Sequence, residues 1–120
     1  MATTIYHNPR CSKSRKTLEL LQQHDRQPHI IEYLKTPPDA KTLRGLLTKL
    51  GISARDLVRR NEDEYLLAGL DDLTLSEEDI INAMIKHPKL IERPIVVLGN
   101  RAVIGRPPEK VLELFGRHDG

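Results

Sequence analysis

The sequence predicts an α/β fold in which a βαβ unit at the start and a ββα unit at the end share one four-stranded mixed sheet, with a helical block inserted between them. Three observations carry this. Within residues 3–34 a β-rich stretch, an amphipathic stretch and a second β-rich stretch follow one another. Near the end, two β-branched runs flank Gly99-Asn100. Between these regions, leucines recur at helical spacing.

Each element has its own signal. "TTIYH" (3–7) reads as a strand. From Ser12 the pattern changes, and "SKSRKTLELLQQHD" places Thr17, Leu18 and Leu21 on one helical face. "HIIEYL" (29–34) reads as the second strand, and strand–helix–strand order favours parallel pairing through a right-handed crossover. After "TPPD", Leu43, Leu46, Leu47 and Leu50 fall at i, i+3, i+4 and i+7, and Gly51 ends that helix. "SARD" (53–56) and "SEED" (76–79) match the capping-box pattern, so two further helices begin there, the second stopping at His87-Pro88. "PIVVLGNRAVIG" reads as a hairpin turning at Gly99-Asn100. "PPEKVLELFG" reads as a C-terminal helix, with proline at its start and Gly116 after its end. This is the thioredoxin-like arrangement: one domain over 1–120, with its core at about 1–35 and 88–118 and a helical insertion at about 39–87.

Composition narrows the function classes. Lys and Arg number 19 against 17 Asp and Glu, too even a balance for nucleic-acid binding by bulk charge. With no Trp, one Phe and three Tyr there are few platforms for stacking bases. No apolar run is long enough to span a bilayer, and "MATTIYHN" does not read as a secretory signal. A single cysteine excludes an internal disulfide framework and fits a reducing, cytoplasmic setting.

That cysteine, Cys11, lies in "HNPRCSKSR" (7–15), where the first strand hands over to the first helix. Cysteines are commonly buried as small hydrophobes, but Arg10, Ser12, Lys13, Ser14 and Arg15 are poor company for a core side chain. In the turn that opens a helix the sulfur meets unpaired backbone N–H groups at the positive end of the dipole, which favours a thiolate. The same N–H groups, with the serine hydroxyls and Arg15, can hold a tetrahedral oxyanion against the sulfur. More positive charge is needed, and Arg93 and Arg106 stand out because each precedes a proline, which restricts the arginine's backbone. Pro94 also opens the third strand, where thioredoxin-like folds place a cis-proline facing the active thiol; the residues alone leave open that both arginines are surface groups at strand ends. In "ARDLVRRN", Asp56 precedes Arg60 at ion-pair spacing, whereas Arg59 shares a face with Arg55 and has no such partner. His24, His29, His87 and His118 match no metal-binding spacing.

"IYHNPRCSKSR", "LVRRN", "ERPIVV" and "IGRPPE" together resemble the arsenate reductase family ArsC, specifically its glutaredoxin-coupled branch and that branch's YfgD-type relatives. The resemblance runs from residue 4 to about 115. It implies that Cys11 is the catalytic cysteine and that His7 helps to depress its pKa. Ser12, Ser14 and Arg15 would belong to the anion-carrying loop, and Arg59, Arg93 and Arg106 to an arginine trio around the oxyanion. It implies arsenate or another oxyanion as substrate, glutathione as co-substrate, glutaredoxin as partner and no bound cofactor. One step has independent support: with no second cysteine, an oxidised Cys11 needs an external thiol. Two other readings are a glutathione-linked thiol oxidoreductase without arsenate activity and a non-enzymatic interaction protein of the Spx kind. "CSKS" lacks the C-x-x-C of Spx regulators.

Overall fold

A computed structural model describes residues 2–24 and 27–115. Gly116, His118 and the far edge of the expected core at 118 lie outside the described residues. The chain divides into two units, Met1–Thr36 with Arg93–Gly120, and Pro37–Glu92.

The first unit is built on a four-stranded sheet. Strand β1 (Thr3–His7) is followed by helix α1 (Ser12–Gln23) and strand β2 (His29–Glu32). Strands β3 (Ile95–Leu98) and β4 (Arg101–Ile104) complete the sheet in the order β2-β1-β3-β4. β1 pairs parallel with β2 and antiparallel with β3, and β3 pairs antiparallel with β4, giving the mixed thioredoxin-like sheet. Strand β2 is shorter than "HIIEYL" predicts because Lys35 and Thr36 both donate their N–H to the Glu32 carbonyl and turn the chain away. Gly99, at φ 63°, makes the β3–β4 turn in the region glycine adopts without a Cβ clash.

One face of this sheet is closed by α1 and by the C-terminal segment. Ile5, Leu21, Val96, Val111 and Leu114 form a buried cluster, ringed by Leu18, Leu98, Val103 and Phe115. Side chains of this size each contribute about 1.5–3 kcal/mol when withdrawn from water. The C-terminal helix is a 3-10 helix over Pro108–Phe115. In that geometry residues three apart eclipse, so Val111 and Leu114 lie on one face, and both are buried.

The second unit is helical. Helix α2 (Ala40–Leu50) starts on Asp39, whose carboxylate accepts the Thr42 N–H at 2.8 Å, and ends on Gly51 at φ 70°. Leu43, Leu46 and Leu47 are buried. Helix α3 (Ala54–Leu57) and helix α5 (Glu77–Lys86) both open with complete capping boxes, Ser53 with Asp56 and Ser76 with Asp79. Between them lies helix α4 (Asp63–Leu67), which the sequence did not announce. Helix α3 is a single turn, because Val58 turns extended and bridges to Ile91 while Arg59 N–H donates to the Leu90 carbonyl. The expected helical pairing of Asp56 with Arg60 is therefore corrected: Arg60 lies beyond the helix end and Asp56 is committed to the cap. No helix among the described residues is long and apolar enough to cross a membrane.

Gly105 shows how closely the first unit is packed. A Cβ there would stand 2.6 Å from Thr17 Oγ1 and 2.9 Å from Pro94 Cγ. Thr17 is fully buried and its hydroxyl donates to the Lys13 carbonyl, so it has little room to yield. Gly105→Ala is expected to destabilise the protein by about 1–3 kcal/mol through overpacking. Urea unfolding measures this, and an unchanged midpoint would show that the site relaxes at no cost.

Candidate active site

Strand β1, paired on both sides, carries His7 to its carboxyl end, and Asn8, Pro9 and Arg10 turn the chain into α1. Cys11 is the N-cap residue, with extended backbone (φ −92°, ψ 122°). Its N–H donates to the Asn8 carbonyl and its own carbonyl accepts the Arg15 N–H, each at 3.0 Å. The N–H groups of the first helical turn are thereby left pointing out of the helix end. The thiol makes no conventional capping hydrogen bond, but as a thiolate it draws on these groups. Burial alone raises its pKa. The Ser14 N–H, the Arg93 guanidinium and the Lys13 N–H outweigh that effect, and the net shift is downward from 9.0. Cys11 is half-buried, so the sulfur is both activated and reachable.

Ser14 fixes this loop. Its side chain is fully buried, and its hydroxyl accepts the Asn8 N–H at 3.0 Å and lies 2.6 Å from His7 Nδ1. His7 is buried and its pKa is lowered, mainly by burial, with Arg15 adding to the effect and Glu32 opposing it. A neutral imidazole has one bare ring nitrogen, and the Ser14 hydroxyl has one proton to give; Nδ1 is the natural acceptor. His7 thus meets the side chain of Ser14, whose N–H lowers the Cys11 pKa, and is not itself among the groups that lower it.

Arg93 and Arg106 are both half-buried, and each precedes its proline through a cis peptide bond. Arg106 Nη1 donates to the Arg93 carbonyl at 3.0 Å, and Gly105 N–H donates to the Pro94 carbonyl at 2.9 Å, so the two Arg-Pro sites hold one another. Arg15 is exposed and donates from Nη1 to the Pro9 carbonyl at 2.9 Å, bracing the loop from outside. Ser12 is exposed in the first turn of α1.

Arg59 belongs to the second unit and has partners that the sequence reading denied it. Its Nη1 lies 2.6 Å from Glu92 and its Nε 3.3 Å from Glu62. Glu62 stands three residues on, a spacing that reading passed over; Glu92 is brought in only by the Val58–Ile91 bridge. Asn8, for which no local pattern signals a structural role, is buried and bonded at its N–H, carbonyl and side chain. Among the described residues no group of three His, Cys, Asp or Glu side chains could hold a metal ion.

Residues 6–114 match the sequence model of the ArsC family. The chain belongs to the ArsC family. It is 58% identical to the uncharacterized protein YfgD of Escherichia coli K12 over 113 residues, covering 93% of this chain and 95% of that one. It is 46% identical to the arsenate reductase of Haemophilus influenzae over 116 residues, covering 96% of this chain and all of that one. Among solved structures, the arsenate reductase from Vibrio cholerae superposes with a TM-score of 0.92 at 48% identity, covering 94% of this chain and 97% of the other. This ArsC chain thus shares its fold and near-full length with them.

Two outcomes are expected from the loop's electrostatics. The rate of Cys11 alkylation by iodoacetamide should titrate with a midpoint below 9.0, and Arg93→Gln should move the midpoint upward. An unmoved midpoint would show that Arg93 does not support the thiolate. His7 has a folded-state pKa below 6.5, so between that value and 6.5 the unfolded chain binds more protons. Its stabilising contribution is whole above pH 6.5 and is lost as pH falls through the lower folded value. Urea unfolding followed from pH 7.5 to about 5 should show this decline, and His7→Gln should flatten it.

Proposed function

We propose that this ArsC protein is an arsenate reductase that uses glutathione and glutaredoxin as its source of electrons. The observation that carries the reading is Cys11, a thiol whose pKa is lowered at the open end of α1 by the Ser14 and Lys13 N–H groups and by Arg93. A thiolate there has N–H and guanidinium donors within reach of the oxygens of a tetrahedral anion, which makes both nucleophile and seat. Relatives named arsenate reductases, 46% identical in sequence and 0.92 in TM-score by structure, support the choice of anion.

In this mechanism the Cys11 thiolate attacks As(V), an arsenate oxygen takes up protons and leaves as water, and a sulfur–arsenic bond forms. Glutathione thiolate then attacks the Cys11 sulfur. The sulfur–arsenic electron pair stays with arsenic, which departs as arsenite, and Cys11 is left in a mixed disulfide with glutathione. Two thiols have been oxidised and one As(V) reduced to As(III), so the electrons balance. Glutaredoxin reduces the mixed disulfide and restores the thiol. Arg93 and Arg106 hold the oxyanion with Ser12, Ser14 and Arg15 lining the loop, while His7 positions Ser14. Arg59, in the second unit, is held by Glu62 and Glu92. The chemistry suits a reducing compartment such as the cytoplasm.

A coupled assay with glutathione, glutaredoxin, glutathione reductase and NADPH tests the proposal. Arsenate-dependent NADPH loss is expected, and Cys11→Ser should abolish it. Arg93→Gln, which removes a charge-assisted hydrogen bond, should lower kcat/KM by about ten- to a hundredfold. No arsenate-dependent oxidation would overturn the reading. Failure of arsenate to protect Cys11 from iodoacetamide would further show that the loop holds no oxyanion.

A further inference from the structure

We propose that a pocket beside the Cys11 loop seats the reducing thiol, and that it suits a small thiol bearing both carboxylate and ammonium groups, as a γ-glutamyl tripeptide thiol does. This rests on the thiol-dependent reduction proposed above and adds to it the place where the donor sits. The pocket has a volume of about 340 Å³, within the ~300–1,000 Å³ range of small-molecule sites. One wall is His7, Asn8, Pro9 and Arg10, the residues that lead into Cys11; the other is Glu32, Leu34 and Lys35. β1 and β2 are parallel and both end here, at His7 and Glu32.

The charges on its walls select the occupant. Arg10 and Lys35 offer two cations for carboxylates, and Glu32 offers one anion for an ammonium. Lys35 lies 3.4 Å from Glu32, but the lysine side chain is 80% exposed, so the pair is weak and can exchange partners with an incoming zwitterion. Leu34, itself exposed, supplies an apolar surface for the methylene and peptide portion of the thiol. A thiol held by these groups lies against Pro9 and Arg10, the residues that lead into Cys11. The bond formed is a disulfide to Cys11 sulfur, and the group leaving that sulfur carries away the electron pair.

The test omits arsenate, so that its outcome is separate from that of the arsenate assay. Cys11 is converted to its mixed disulfide with thionitrobenzoate, and release of the coloured thiol is followed with glutathione or with uncharged 2-mercaptoethanol, compared at equal thiolate concentration. Attack on Cys11 sulfur expels thionitrobenzoate and leaves the corresponding mixed disulfide, which mass spectrometry identifies. Glutathione is expected to react with saturation. The variant Arg10→Gln with Lys35→Glu should slow glutathione by about tenfold and leave 2-mercaptoethanol within about twofold of its original rate. Equal slowing of both thiols would show that these charges act on the loop and not on the donor, and no slowing would place the donor elsewhere; either result overturns the proposal.

Discussion

The buried hydroxyl of Ser14 is the contact through which the end of β1 controls the start of α1. It accepts the Asn8 N–H and meets His7 Nδ1, and the same residue's N–H supports the Cys11 thiolate. Without that oxygen the Asn8 N–H would be buried and unpaired, a loss of about 1–3 kcal/mol. The loop would then be free to rotate its N–H groups away from the sulfur. Burial of His7 keeps the imidazole neutral, so the loop gains an acceptor there and not a charge. The position of the reactive sulfur thus depends on a polar contact that involves no charged group.

Charge enters from the opposite end of the chain. Cys11 is half-buried, and burial by itself works against ionisation. Two backbone N–H groups and one guanidinium reverse the balance. Arg93 serves because β3 begins beside β1 and because Arg106 donates to its carbonyl. Arg59 is in a different electrostatic state: Glu62 and Glu92 already compensate its charge within the second unit. Any anion that draws on Arg59 competes with two carboxylates, whereas the thiolate is itself among the groups Arg93 supports.

Much of this was legible in the sequence, for a physical reason. Capping boxes at Ser53 and Ser76, the glycine after Leu50 and the Gly99-Asn100 turn are local signals, set by residues within a few positions of each other. The downward shift of the thiol's pKa was legible too, since two of the N–H groups behind it belong to the next helical turn. What escaped depends on distant parts of the chain. Helix α3 is cut short by a bridge from Val58 to Ile91, and Glu92 reaches Arg59 by that same bridge. The parts played by Ser14 and Asn8 exist only once the loop is folded back on the strand. The C-terminal segment reads locally as a helix, but nothing local marks the 3-10 winding that puts Val111 and Leu114 on one buried face.

A seat made of N–H groups and guanidinium donors is poor at telling one tetrahedral oxyanion from another of equal charge and similar size. Its hydrogen bonds report oxygen positions and charge, and hardly register the central atom. For the proposed reaction, selectivity must therefore come from the bond the sulfur makes. A centre that accepts sulfur and then two electrons moves forward; one that does neither dissociates unchanged. The chain's own design agrees with that division, because it supplies one cysteine thiol and no second one. Binding can remain permissive, and commitment occurs only when an outside thiol removes what Cys11 has captured.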